Sequence, residues 1–305
     1  MMPFERSRVR VSAGELACVD AGEGAPVLLL HGFPTSSLLW RREVMLFASR
    51  MRVIAPDLLG YGESDKPRGA DLSEPAQAGY ARELLRSLGI DELAIVGHDI
   101  GGVVAQLLAL DEDGARVKAL VLLDSPSFDA WPIEGVRLIQ GAAPEQETAQ
   151  FVEDLMRLTF DLGMAHRERL DEATMQAYTR PWRDEPAAFF RAARGIEGKG
   201  LSGRDGELAA RDLPALILWG EEDPFLGVEL ADRLQESMPG STLALLPGCS
   251  HFVGEDAPQT VGPLILEFLR ARYLGDPGGH GHGHGGNGPV RIFLERPPPA
   301  SERHP

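Results

Sequence analysis

Gly97-His98-Asp99-Ile100-Gly101-Gly102 stands where an apolar run, 93–97, gives way to a segment of helical period. Small residues two places before and two places after Asp99 match the nucleophile elbow, a crowded strand-to-helix turn that lifts its central side chain above a sheet. The central residue is Asp, where an esterase or lipase would carry Ser. Taken alone, the same six residues also read as a Gly-rich turn with an Asp cap. The surrounding chain decides between the two.

On either side of the elbow, short β-rich runs alternate with longer segments of helical period, the pattern of a mostly parallel sheet covered by helices on both faces. Eight strands are expected, at 8–12, 16–20, 26–30, 52–55, 93–97, 117–123, 215–219 and 241–246. Ala13 and Gly14 leave no room for a crossover between the first two, so the sheet should open with an antiparallel hairpin. Ser73 and Pro75 mark the start of a helix in which Ala81, Leu84, Leu85 and Leu88 share one face. Further helices are expected from Gly101 to about Leu110 and from Pro258 to Tyr273.

The strand signal disappears from Ser125 to about Arg211, where helical stretches are broken by Pro132, Pro144, Pro181 and Pro186. The expected organisation is therefore a core in two parts, 1–124 and 212–273, with a helical cap insertion at 125–211. After Tyr273 come glycines, the alternating His280, His282 and His284, and the prolines 297–299. Such a composition buries too little to offset its ordering entropy, so 274–305 reads as a flexible tail. Glycine on every side of those histidines fixes no metal geometry.

Composition narrows the function. The 305 residues carry 30 Lys and Arg against 46 Asp and Glu, a formal net charge of −16, which repels phosphate and anionic lipid and argues against nucleic acid as a partner. No apolar run approaches the ~20 residues of a membrane helix. Cys18 and Cys249 are too few for a disulfide framework, and the first ten residues do not read as an exporting segment, so a cytoplasmic location is expected. A small-molecule substrate remains the natural partner, and nothing specifies an oligomeric state.

The chemistry-bearing residues fall at the carboxyl ends of the expected strands. His31-Gly32-Phe33-Pro34 follows the third, where a loop would supply the Phe33 backbone N–H to an oxyanion hole; the second N–H would be that of Ile100. The Gly-punctuated loop 57–67 after the fourth reads as structural. Asp223 follows the seventh strand and His251 the eighth, giving the chain order nucleophile, acid, histidine. Asp124, ending the sixth strand, is the alternative acid. Cys249 reads as a small packing residue.

HGFPTSSLLW at 31–40, APDLLGYGESDKP at 55–67 and GHDIGG at 97–102 resemble the α/β-hydrolase superfamily, and within it the Asp-nucleophile branch of haloalkane dehalogenases and epoxide hydrolases. The resemblance covers about 8–273. It implies a covalent two-step hydrolysis without metal or organic cofactor. A carboxylate is suited to displacing a leaving group from saturated carbon, and a histidine oriented by a carboxylate can then activate water against the resulting ester. Asp99 is expected to stay ionised at the helix N-terminus.

The resemblance does not extend to the leaving-group site. Relatives that release halide usually hold it with a Trp after the nucleophile and an Asn after His-Gly, positions held here by Ile100 and Phe33. Trp131 and Trp182 of the insertion are the substitutes, and either also reads as cap packing. Epoxide hydrolases use cap tyrosines, of which only Tyr178 is present; His31 is a further candidate contact. Fluoroacetate dehalogenases carry an Arg where Ile100 stands. A haloalkane dehalogenase-like hydrolase is favoured, with epoxide hydrolysis as the alternative. A cofactor-free lyase or isomerase, or a non-catalytic ligand-binding protein, are the readings of another class.

Overall fold

Runs that are apolar without alternation suit strands buried on both faces, and these runs form the parallel part of the sheet. The computed structural model describes residues 4–198, 200–276 and 290–294. β1 (Arg6–Val11) and β2 (Gly14–Ala21) pair antiparallel, with Val11 opposite Gly14 at the turn. β2 also runs antiparallel to β4 (Arg52–Pro56). β3 (Pro26–Leu30), β5 (Glu92–His98), β6 (Arg116–Leu123), β7 (Ala215–Gly220) and β8 (Thr242–Leu246) continue the sheet in parallel with β4.

The sheet differs from the eight strands expected by having nine among the described residues. β9 (Val290–Phe293) lies parallel to β8, with Thr242 opposite Val290 and Leu245 opposite Phe293. Four residues after a glycine-rich stretch are too few to show a period, so only tertiary pairing reveals the strand. The rest of the expected tail, 277–289 and 295–305, lies outside the described residues, and His280, His282 and His284 with it.

Across the sheet the order is β1-β2-β4-β3-β5-β6-β7-β8-β9. The chain leaves β3 toward β4 on one side and returns to β5 on the other, which opens a crevice at the carboxyl ends of β3 and β5. That reversal is what positions the site. The covering helices include Glu74–Ser87, Ile100–Leu110 and Pro258–Arg272. The first starts where Ser73 accepts the Ala76 N–H and buries Ala81, Leu84 and Leu85.

Between β6 and β7 the described residues hold no strand. Helices Glu134–Gln140, Ala149–Gly163, Glu172–Asp184, Pro186–Gly195 and Asp205–Ala209 fill the segment. Thr148 and Asp171 cap two of them by accepting the N–H groups of Phe151 and Thr174. Pro181, expected to break a helix, sits inside Glu172–Asp184, while Pro186 starts the next helix, where its missing N–H costs nothing. Among the described residues no helix is long and apolar enough to cross a membrane.

Among the contacts that join the cap to the core, one reaches the loop that carries His251. The buried Asp256 carboxylate accepts the N–H groups of Ala165 and His166 from the cap and of Ser250 from the loop after β8, at 3.0, 2.8 and 2.8 Å. Phe252 N–H adds a bond to the Gly163 carbonyl at 2.9 Å.

Candidate active site

Asp99 follows β5 at φ 52° and ψ −129°, a left-handed conformation that costs a non-glycine residue about 1–3 kcal/mol and is sustained by what surrounds it. Two glycines make room for it. A Cβ on Gly101 would lie 2.3 Å from the Leu30 carbonyl oxygen, so only glycine lets the helix approach β3. A Cβ on Gly32 would lie 2.4 Å from Asp99 Oδ1, the space that the carboxylate itself occupies.

The Phe33 N–H donates to Asp99 Oδ1 at 2.9 Å, and the N–H of Ile100, the next residue, favours the charged carboxylate. Of the two backbone donors expected for an oxyanion hole, Phe33 is hydrogen-bonded to the side chain of Asp99, and Ile100 directly follows Asp99 in the chain. On the other side, His251 Nε2 lies 3.9 Å from Asp99 Oδ2, and His251 Nδ1 is 2.9 Å from Asp223 Oδ2. Asp223 is fixed in turn, since its Oδ1 accepts the N–H groups of Phe225 and Leu226 at 2.8 and 3.1 Å.

Burial dominates the electrostatics. It raises the Asp99 carboxyl to about 6, although His251 and the backbone N–H groups of Ile100 and Phe33 pull the other way. For His251, desolvation opposes the imidazolium, but Asp223 and Asp99 outweigh it and the net shift is upward.

These shifts carry a stability consequence with a definite sign. The unfolded chain ionises Asp99 near pH 3.8 and the folded one near 6, so stability falls as pH rises through that window and stays lower above it. Asp99→Asn keeps the shape without the charge. It is expected to stabilise the fold by roughly 2–3 kcal/mol at pH 8 and by nothing below pH about 4, as read by urea unfolding. Equal stability of the two proteins at pH 8 would contradict the assignment.

Asp124, the alternative acid, is placed differently. Its Oδ1 accepts the Gly220 N–H at 2.8 Å, and its Oδ2 is buried without a partner. Burial, with the charge of Asp223 next in weight, holds its carboxyl well above the usual range.

A cavity of about 430 Å³ opens above Asp99 and His251, lined chiefly by cap residues. Phe33 and Trp131 are in its wall; the side chains of Ile100, His31, Tyr178 and Trp182 are not. Each of these four has a different reason. Ile100 packs its side chain into the core. His31 Nε2 accepts the Leu58 N–H at 2.9 Å while Nδ1 meets the Gly32 carbonyl at 3.0 Å, so the ring anchors the loop that carries Phe33.

Trp182 spends its Nε1–H on the Pro34 carbonyl at 2.7 Å. Tyr178 donates to Glu255 Oε1 at 2.8 Å, inside a buried cluster in which Arg41 and Arg42 also bind Glu255. Trp131 alone among the expected contacts both lines the cavity and has an N–H without an acceptor.

Sequence reasoning missed two supports of His251. His98 is buried beneath it, with ring centroids 4.8 Å apart and Nε2–H donating to the His251 carbonyl at 3.0 Å. Phe225 meets the imidazole edge to face at 5.2 Å and completes the cavity wall. Neither carries a spacing signal, because both act across strands. The 57–67 loop proves structural: Asp57 binds Arg6 and the N–H groups of Ser37 and Glu63.

Residues 25–258 match the family described as alpha/beta hydrolase fold. Over 279 residues the chain is 30% identical to haloalkane dehalogenase 2 of Mycobacterium tuberculosis, covering 88% of this chain and 96% of that protein. It is 31% identical over 292 residues to a fluoroacetate dehalogenase of a Burkholderia species, covering 87% and 94%. The solved structure of the epoxide hydrolase CorEH superimposes with a TM-score of 0.73 at 26% identity, covering 87% of this chain and 98% of that one.

Proposed function

The chain belongs to the α/β-hydrolase fold family, and on that footing we propose that it is a hydrolase whose nucleophile is Asp99 and whose activity is that of a haloalkane dehalogenase. The observation that carries this reading is the division of the Asp99 carboxylate, with Oδ1 held by the Phe33 N–H and Oδ2 turned toward His251 Nε2. A carboxylate so placed attacks with Oδ2. The leaving group departs from saturated carbon with its electron pair, and an alkyl ester forms through Oδ2.

His251, oriented by Asp223, then takes a proton from water, whose oxygen adds to Asp99 Cγ. Charge develops on Oδ1, which the Phe33 N–H already holds, and the ester bond breaks to release the alcohol. Haloalkane and water thus give alcohol, halide and a proton. Trp131, which lines the cavity and has a buried N–H without an acceptor, is the candidate donor to the departing anion. Epoxide opening is less well served, because the hydroxyl of Tyr178 is committed to Glu255 outside the cavity.

The test is a single turnover with enzyme in excess over a bromoalkane in ¹⁸O-water. The alcohol should carry ordinary oxygen and the peptide containing Asp99 should gain the label. Label appearing directly in the alcohol would refute an ester on Asp99.

A further inference from the structure

Helix Ala149–Gly163 carries two apolar stripes where an amphipathic surface helix needs one. Val152, Met156 and Phe160 are buried in the cap, as such a stripe should be. Phe151, Leu155, Leu158 and Leu162, at i, i+4, i+7 and i+11, line the cavity instead. This second stripe runs out to solvent, with Leu158 and Leu162 each 52% exposed. Leu138 of helix Glu134–Gln140, in the same cavity wall, is 71% exposed. Single exposed leucines are ordinary, but three that continue the wall of one cavity form an apolar path from Asp99 to the surface.

From this continuity we propose that the substrate is an uncharged molecule with a long, unbranched apolar tail. Its reactive carbon sits at Asp99 and its tail leaves through the mouth rimmed by Leu138, Leu158 and Leu162. The proposal rests on Asp99 as the reacting group. The head is uncharged because, among the described residues, no Lys or Arg lines the cavity to balance a substrate carboxylate beside that of Asp99. The tail is long because a small substrate would leave the exposed leucines without a function in binding. A second copy of the chain covering the leucines is the competing occupant.

Straight-chain 1-alkanols, which mimic the product, test this on the intact protein by titration calorimetry. Each methylene that leaves water should tighten binding about fourfold, and the trend should continue from butanol through dodecanol. The triple variant Leu138→Ser, Leu158→Ser, Leu162→Ser should lower the dodecanol-to-butanol affinity ratio by at least about tenfold. Dodecanoate should bind more weakly than dodecanol.

Affinity that levels off at pentanol, or a ratio unchanged in the triple variant, would overturn the proposal. So would light scattering that shows a dimer which the triple variant dissociates. Alkanol binding involves no chemistry at Asp99, so failure of the ¹⁸O experiment and failure of this one are separate results.

Discussion

Asp223→Asn is expected to lower steady-state turnover by roughly 10³–10⁴, while Asp124→Asn stays within about tenfold of the parent enzyme. The 2.9 Å contact between Asp223 and His251 Nδ1 holds the ring in the tautomer that leaves Nε2 free to accept a proton from water. An amide in its place removes the charge that stabilises the imidazolium, and it can present its NH₂ to Nδ1 and reverse the tautomer. Asp124 does neither job for the histidine. Its carboxyl is pushed upward by burial and by Asp223, and Asn preserves its acceptor for the Gly220 N–H. Steady-state rates of the two variants, normalised by circular dichroism, decide the matter; the opposite ranking would transfer the role to Asp124.

His251→Gln should convert the enzyme into a single-use alkylation reagent. Attack by ionised Asp99 needs no general base, whereas ester hydrolysis would depend on His251; losing His251 also removes a charge that lowers the Asp99 carboxyl, so the alkylation is best read at alkaline pH. Intact-protein mass spectrometry after incubation with a bromoalkane should show one alkyl group per chain, accumulating toward full occupancy, with the added mass on the peptide containing Asp99. The parent protein under the same conditions should remain unmodified at steady state. An unmodified variant, alongside a parent that consumes the substrate, would remove Asp99 from the role of nucleophile.

What could be read in the sequence was what local spacing controls. The elbow is legible because a strand-to-helix turn at Asp99 needs small residues at fixed offsets, and Gly97 and Gly101 provide them. The parallel strands are legible because burial on both faces writes an unbroken apolar run. Side-chain partners across the fold are not written this way. Trp131 and Trp182 look alike in the chain, and only packing gives the Pro34 carbonyl to one indole and leaves the other without an acceptor. Tyr178 could not be told from an oxyanion ligand until Glu255 and Arg41 appeared beside it. The double stripe of Ala149–Gly163 was visible in principle: four apolar residues at helical spacing beside a second set of three mean a helix apolar on two faces, one of them facing something other than the core.

The three N–H bonds on Asp256 mean that the cap is not a module. A recombination experiment that cut the chain only at the start and end of the insertion would import foreign backbone at Ala165 and His166 while leaving Asp256 behind, and the mismatch would be felt at Ser250, the residue before His251. Chimeras meant to exchange substrate preference between relatives therefore need a third junction, so that 250–256 travels with its own cap. For the same reason natural drift in the cap is coupled to drift around the histidine, and new specificities in this chain should arise more readily at Leu138, Leu158 and Leu162, which face solvent and cavity, than in the segment that joins the two lobes.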